Sequence, residues 1–128
     1  MNRKNISSNT KWEDIVGYSR AVRIGNMIEV AGTTAVDGEE VVGDGNPYEQ
    51  TRFIFQKIEK ALIEAGATMK DVVRTRMFVT NMDHWEEIGR AHGEFFKEIK
   101  PASTMLEVSR FIDGKILIEI EVSAVISE

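Results

Sequence analysis

The chain contains no cysteine. Disulfides, thiolate nucleophiles and cysteine-based zinc sites are thereby excluded together, and a reducing cytoplasm is the expected location. Positive charge is not in excess either: 16 Lys and Arg stand against 21 Asp and Glu, a formal net charge of −5. Nucleic-acid partners need clustered Lys and Arg to meet phosphates, so none is expected. No apolar run approaches the length of a membrane span, which leaves no membrane partner. Met1–Thr10 is polar and lacks the apolar run and small-residue cleavage site of a signal peptide. Residues 1–11 are expected to be a flexible or peripheral segment. Internal repeats and low-complexity segments are missing as well.

What is present fits a single domain of 128 residues, since domains run to roughly 100–200 residues. A chain of this size hides only about two-thirds of the surface its unfolded form exposes. Little material is left for walling off a deep private active site.

The apolar-alternating stretches Ala21–Ile24 and Met27–Val30 flank Gly25-Asn26, a pair suited to a two-residue turn, and predict a β-hairpin. A small second hairpin is expected around Asp37-Gly38. Asn46 can cap a helix, Pro47 suits its first position, and Glu49 sits where a capping-box acid belongs. The stripe Ile54, Ile58, Ala61, Leu62 and Ala65 gives this helix a buried face, and Gly66 ends it. Val72–Thr80 alternates as a strand, with Val73, Thr75, Met77 and Val79 on one face and Arg74, Arg76 and Phe78 on the other. Asp83 is expected to cap a second helix that buries Trp85, Ile88, His92, Phe95, Phe96 and Ile99 and stops at Pro101. Ala102–Arg110 and Lys115–Ile126 read as two final strands, joined as a hairpin across Asp113-Gly114.

The order β-β-α-β-α-β-β describes an α+β fold, a sheet with both helices on one face. In the last strand Ile118, Ile120, Val122 and Ala124 supply the helix-covered face, which leaves Glu119, Glu121 and Ser123 on the other with Arg74 and Arg76. A face that mixes Arg, Glu and Phe is either wet or an oligomer interface.

Without cysteine, the candidates for chemistry are few. His84 and His92 are offset by about 80° on one helix, so they do not form a metal-binding pair, and no metal or other cofactor is expected. His92, in mid-stripe between aromatics, reads as a satisfied core histidine. Gly43-Asp44-Gly45 before the first helix reads as a lead-in loop, because Asp44 would repel a phosphate. Glu119 and Glu121 project from one strand face roughly 7 Å apart. Carboxylates this close can push one pKa upward and create a general acid/base; two solvated or Arg-paired strand acids are the alternative.

Taken in order, a longer series of motifs resembles the Rid family of reactive-intermediate deaminases, also called the YjgF-type family. The series comprises Gly17-Tyr18-Ser19, Gly25-Asn26 leading to Ala31-Gly32, Gln50-Thr51-Arg52, Ala65-Gly66-Ala67, Asp71-Val72-Val73-Arg74, Phe95-Phe96, Pro101-Ala102 and Ile118-Glu119-Ile120-Glu121. It spans about Tyr18 to Val125. The resemblance implies a chorismate-mutase-like protomer, a homotrimer with small-molecule clefts at the subunit boundaries, and metal-free hydrolysis of enamine or imine intermediates to keto compounds and ammonia. It assigns Glu119 and Tyr18 to catalysis, and Gly32, Ala31, Ser103 and Met105 to substrate binding.

Three of these positions match the family pattern: Tyr18, Gly32 and Glu119. The family places an Arg after Pro-Ala to clamp the substrate carboxylate, and this chain has Ser103 there. Met105, Ala31 and Gly89 also replace frequent family residues, respectively Cys or Thr, Ser and Asn. Arg110 lies an odd number of positions from Ser103, hence on the opposite strand face, and is a poor local substitute. A charge-assisted hydrogen bond to a carboxylate is worth roughly 1.5–3 kcal/mol, whereas Ser103 can offer one neutral bond. The expected activity is therefore a deaminase for an enamine or imine other than 2-aminoacrylate. The alternatives are a non-catalytic small-metabolite-binding trimer that uses the same cleft and, last, an RNA-directed activity.

Overall fold

A computed structural model describes residues 2–127. Its first strand, β1 (Arg3–Ile6), runs antiparallel to β2 (Ala21–Ile24) and sends Ile6 into the core. The segment expected to be flexible or peripheral thus includes a hydrogen-bonded edge strand. Between β1 and β2, Glu13–Gly17 forms a single wide π-type turn.

The expected hairpin pairs β2 with β3 (Met27–Thr34) across Gly25-Asn26, and Gly25 takes the positive φ that such a turn requires. The small second hairpin pairs β4 (Val36–Asp37) with β5 (Glu40–Val41). Helix α1 (Pro47–Glu64) starts as expected: the Asn46 side chain accepts a hydrogen bond from the Glu49 amide at 3.0 Å. The whole predicted stripe is buried, and Phe55 joins it. Burying each large aliphatic of this kind contributes about 1.5–3 kcal/mol.

Strand β6 (Val72–Val79) carries a correction. A register shift between Val72 and Arg74 makes Val73 the bulged residue, so Val72 turns inward and Val73 stays exposed. The second helix differs at its start. Asn81, not Asp83, caps a 3-10 turn over Met82–His84, and α2 then runs Trp85–Phe96. Ile88, Ala91 and Phe96 are its buried residues, while Trp85 is exposed.

The larger correction concerns the last two strands. β7 (Ala102–Glu107) and β8 (Ile118–Val125) do not pair with each other, and both are shorter than expected. The sheet order is β1-β2-β3-β8-β6-β7, with β8 antiparallel between β3 and β6 and β7 parallel to β6 at the edge. The crossover through α2 returns the chain parallel to β6, and the Val108–Leu117 connection then carries it past β6 to the centre of the sheet. Both helices pack on one face over Ile28, Val30, Ile118, Ile120 and Val122, as the alternation required.

The other face is uncovered in a single chain. It presents Glu29, Arg74, Arg76, Phe78, Glu119, Glu121 and Ser123, with exposed Ile24, Met27, Leu106 and Val125 at its margins.

Candidate active site

Glu119 lies on the central strand β8 near one end of the uncovered face, level with Thr34, the last residue of β3, and with Phe78 on β6. Beside it the ladder between β3 and β8 breaks between Val30 and Thr33, which places Ala31 and Gly32 in the irregularity. The carboxylate lies directly over Gly32: a β-carbon built there would sit 2.6 Å from Glu119 Oε2 and 2.9 Å from Cδ. Gly32 is therefore the residue that lets the carboxylate settle onto the backbone.

Arg20 closes the same corner. It precedes β2 and donates through Nη2 to the Gly32 carbonyl at 2.6 Å. Its Nε is shut off from solvent and has no hydrogen-bond partner among the described residues. Burial pulls this guanidinium below its usual range, while Tyr18, Glu13 and Glu119 act to restore it. Burial pushes the Glu119 carboxyl above its usual range; Arg20 opposes the rise and Glu121 adds to it. A carboxyl held closer to neutrality beside a cation has the makings of a general acid/base. Behind it, Lys57 bridges the Thr34 and Val36 carbonyls at 2.9 Å each, and burial lowers its pKa with help from Arg20.

Glu121 takes the structural part that the pattern allowed. Its carboxylate faces Arg76 at 3.7 Å, while Arg74 is held by the Thr104 hydroxyl at 2.8 Å. These two arginines, with Phe78, Thr104 and Leu106, line a cleft of about 180 Å³ on the uncovered face. A larger groove of about 390 Å³ lies at the C-terminal end of α1. Its cations already serve carbonyls, Lys4 that of Glu64 and Arg23 those of Gly25 and Ala65, so it offers a ligand little.

Gly32 and Glu119 are thus brought into contact, with Ala31 in the same irregularity and Tyr18 near enough to Arg20 to act on its charge. Ser103 and Met105 are not with them. They pair in parallel register with Thr75 and Met77, both buried under the helices, and so project on the helix side at the exposed β7 edge. Within one chain the sheet separates the two groups. Sequence reasoning passed over Arg20 here, and it read His92 only as a satisfied core histidine. Arg20 was signalled only by its i, i+2 spacing from Tyr18. Thr75 and His92 lay hidden in apolar stripes, yet Thr75 Oγ1 lies 3.0 Å from His92 Nε2 and 2.8 Å from Ser103 Oγ. His92 packs between the rings of Phe55 and Phe96, and burial lowers its pKa.

A family profile described as Endoribonuclease L-PSP matches residues 9–126. The chain belongs to the Rid, or YjgF-type, family. An uncharacterized protein of Streptomyces coelicolor is 39% identical over 121 residues, which is 94% of this chain and 90% of that one. The 3-aminoacrylate deaminase RutC of Acinetobacter baylyi is 30% identical over 104 residues, 80% of this chain and 82% of the relative. Among solved structures, a YjgF/YER057c/UK114 family member from Mycobacterium tuberculosis superposes with a TM-score of 0.87 at 44% identity, covering 98% of this chain and all of the other. In this chain the fold places Glu119 over Gly32, and it puts Ser103 at the exposed β7 edge.

Proposed function

We propose that this Rid-family chain hydrolyses a small enamine or imine, at clefts formed where the uncovered face of one copy meets the β7 edge of the next in a homotrimer. The observation that carries the reading is the half-buried Glu119 carboxyl seated on Gly32 beside Arg20, its pKa raised by burial. The chemistry follows from that group. Glu119 in its acid form protonates the enamine carbon or imine nitrogen; water then adds to the C=N carbon. The added water passes a proton to the Glu119 carboxylate, which delivers it to the carbinolamine nitrogen; the hydroxyl proton then returns to Glu119 as the C–N bond breaks, releasing ammonia and leaving a C=O group. Tyr18 and Gly32 line the reacting end, and Ser103 and Met105 of a second copy line the far wall.

Two features support assembly. The catalytic and binding groups expected in one cleft lie on opposite sides of a single sheet. The uncovered face also carries Ile24, Met27, Leu106 and Val125, between 37% and 52% exposed, more apolar edge than a solitary surface needs. The substrate is not 2-aminoacrylate, because a serine hydroxyl replaces the guanidinium that would clamp its carboxylate. The net charge of −5 gives an RNA-directed activity little support.

Restoring the clamp tests the cleft. Ser103→Arg is expected to raise ammonia release from 2-iminopropionate by about 10–100-fold, the rate equivalent of one charge-assisted hydrogen bond. An unchanged rate in a folded variant would mean that Ser103 does not face the substrate carboxylate.

A further inference from the structure

Thr75 occupies the middle of β6, fully buried, with Ser103 in register beside it on the exposed edge strand and α2 above. Its hydroxyl touches two partners, donating to Ser103 Oγ at 2.8 Å and lying 3.0 Å from His92 Nε2. A hydroxyl has one hydrogen to give. With that hydrogen on Ser103, the histidine contact must be Nε2–H donating to Thr75. The three residues then form a chain of donors running outward, from His92 to Thr75 to Ser103. The Ser103 hydrogen is the one left over, at the solvent-exposed end. Phe55 and Phe96 hold the imidazole in place, their ring centroids 5.5 and 4.8 Å from its own.

We propose that this chain fixes Ser103 as the hydrogen-bond donor that receives an uncharged carbonyl oxygen of the ligand, with His92 the positioning residue that acts through Thr75. The proposal rests on the reading of Ser103 as a wall of the ligand cleft, and it names the ligand class: amides or esters of 2-oxo or 2-imino acids rather than the free acids. A lone serine hydroxyl on an edge strand rotates freely. One that already accepts from a buried threonine has one of its two lone pairs engaged, its hydrogen left for a partner outside and its polarity strengthened by the donors behind it. A neutral donor of this kind suits a neutral oxygen, whereas a carboxylate is better served by a guanidinium.

The test uses the full chain labelled with [15N]histidine, with pyruvamide as probe and pyruvate as its charged counterpart. Side-chain NMR is expected to show His92 as the Nε2–H tautomer. Pyruvamide should shift that resonance and bind at least as tightly as pyruvate. Ser103→Ala, an exposed substitution, should remove the shift and weaken pyruvamide about tenfold, the value of one neutral hydrogen bond. His92→Phe should weaken it to a similar degree, and the double variant no further, because the two act as one unit. Thr75→Ser should keep the response. An Nδ1–H tautomer, a pyruvamide response that survives Ser103→Ala, no response at saturating probe, or tighter binding of pyruvate would each overturn the proposal. All of these are read without turnover. Absent ammonia release would therefore count against the deaminase reading alone.

Discussion

Substituting Gln50 by leucine is expected to cost about 3–5 kcal/mol, because it strands three buried backbone groups at about 1–3 kcal/mol each, partly offset by the apolar replacement. Gln50 is fully buried in the first turn of α1. Its Nε2 donates to the Gly43 carbonyl at 3.1 Å and the Lys115 carbonyl at 2.8 Å, and its Oε1 accepts from the Leu117 amide at 2.9 Å. One side chain thus ties the loop before α1 to the connection that feeds β8. A midpoint lowered by roughly 10–20 °C is the corresponding thermal change for a domain of this size. Because Leu117 lies two residues before Glu119, the same substitution should lower activity beyond its effect on the folded fraction. Thermal unfolding followed by circular dichroism checks the first expectation. A midpoint within 2–3 °C of wild type, a change of under about 1 kcal/mol, would mean that these hydrogen bonds are replaced by water at little cost.

Gly32→Ala is expected to have the opposite profile, a folded protein with a failed site. The backbone at Gly32 does not use the positive φ region, so alanine meets no conformational strain there. The added methyl would lie 2.6 Å from Glu119 Oε2, and the flexible carboxylate must swing away to admit it. Such a shift costs stability little. Displacing a catalytic group by about 1 Å, however, can lower the rate roughly 100-fold. Ammonia release compared with the thermal midpoint separates the two effects. A variant that retains the wild-type rate would place the working carboxylate elsewhere.

The legible parts of the fold were those in which one residue type carries one unmistakable geometric demand. Gly25-Asn26 set the first turn, Asn46-Pro47 set the start of α1, and the alternation of Ile118 to Ala124 set the central strand. β1 was missed because an edge strand needs only one buried residue, Ile6, and its neighbours are polar. The pairing of β7 was misread because Asp113-Gly114 looks like a hairpin turn, although α2 had already committed β7 to run parallel beside β6. That error matters for the site. The facing of Ser103 follows from its register with Thr75, and register is a property of two strands at once. Glu119, Gly32 and Tyr18 could be named from motif order, whereas the contact of Gly32 with the carboxylate exists only once β3 and β8 are adjacent.

Glu119 also links site and stability. Its pKa is raised by burial, so the folded chain holds the proton to higher pH than the unfolded chain does. The contribution of this group is fully present below the ordinary carboxyl value and is lost as pH rises through the folded value. Glu119→Gln should accordingly raise the thermal midpoint at neutral pH relative to wild type, and the gain should disappear in acid. A neutral amide cannot supply the proton the reaction needs. Ammonia release from a panel of small enamines and imines, uncharged and acidic, is the decisive measurement. Wild type is expected to release ammonia from at least one member, and Glu119→Gln to lose about 100–1,000-fold, the scale of a general acid, while it still binds pyruvamide. Equal rates for the two proteins would contradict catalysis by Glu119, and equal inertness across the whole panel with pyruvamide still bound would leave a metabolite-binding protein in its place.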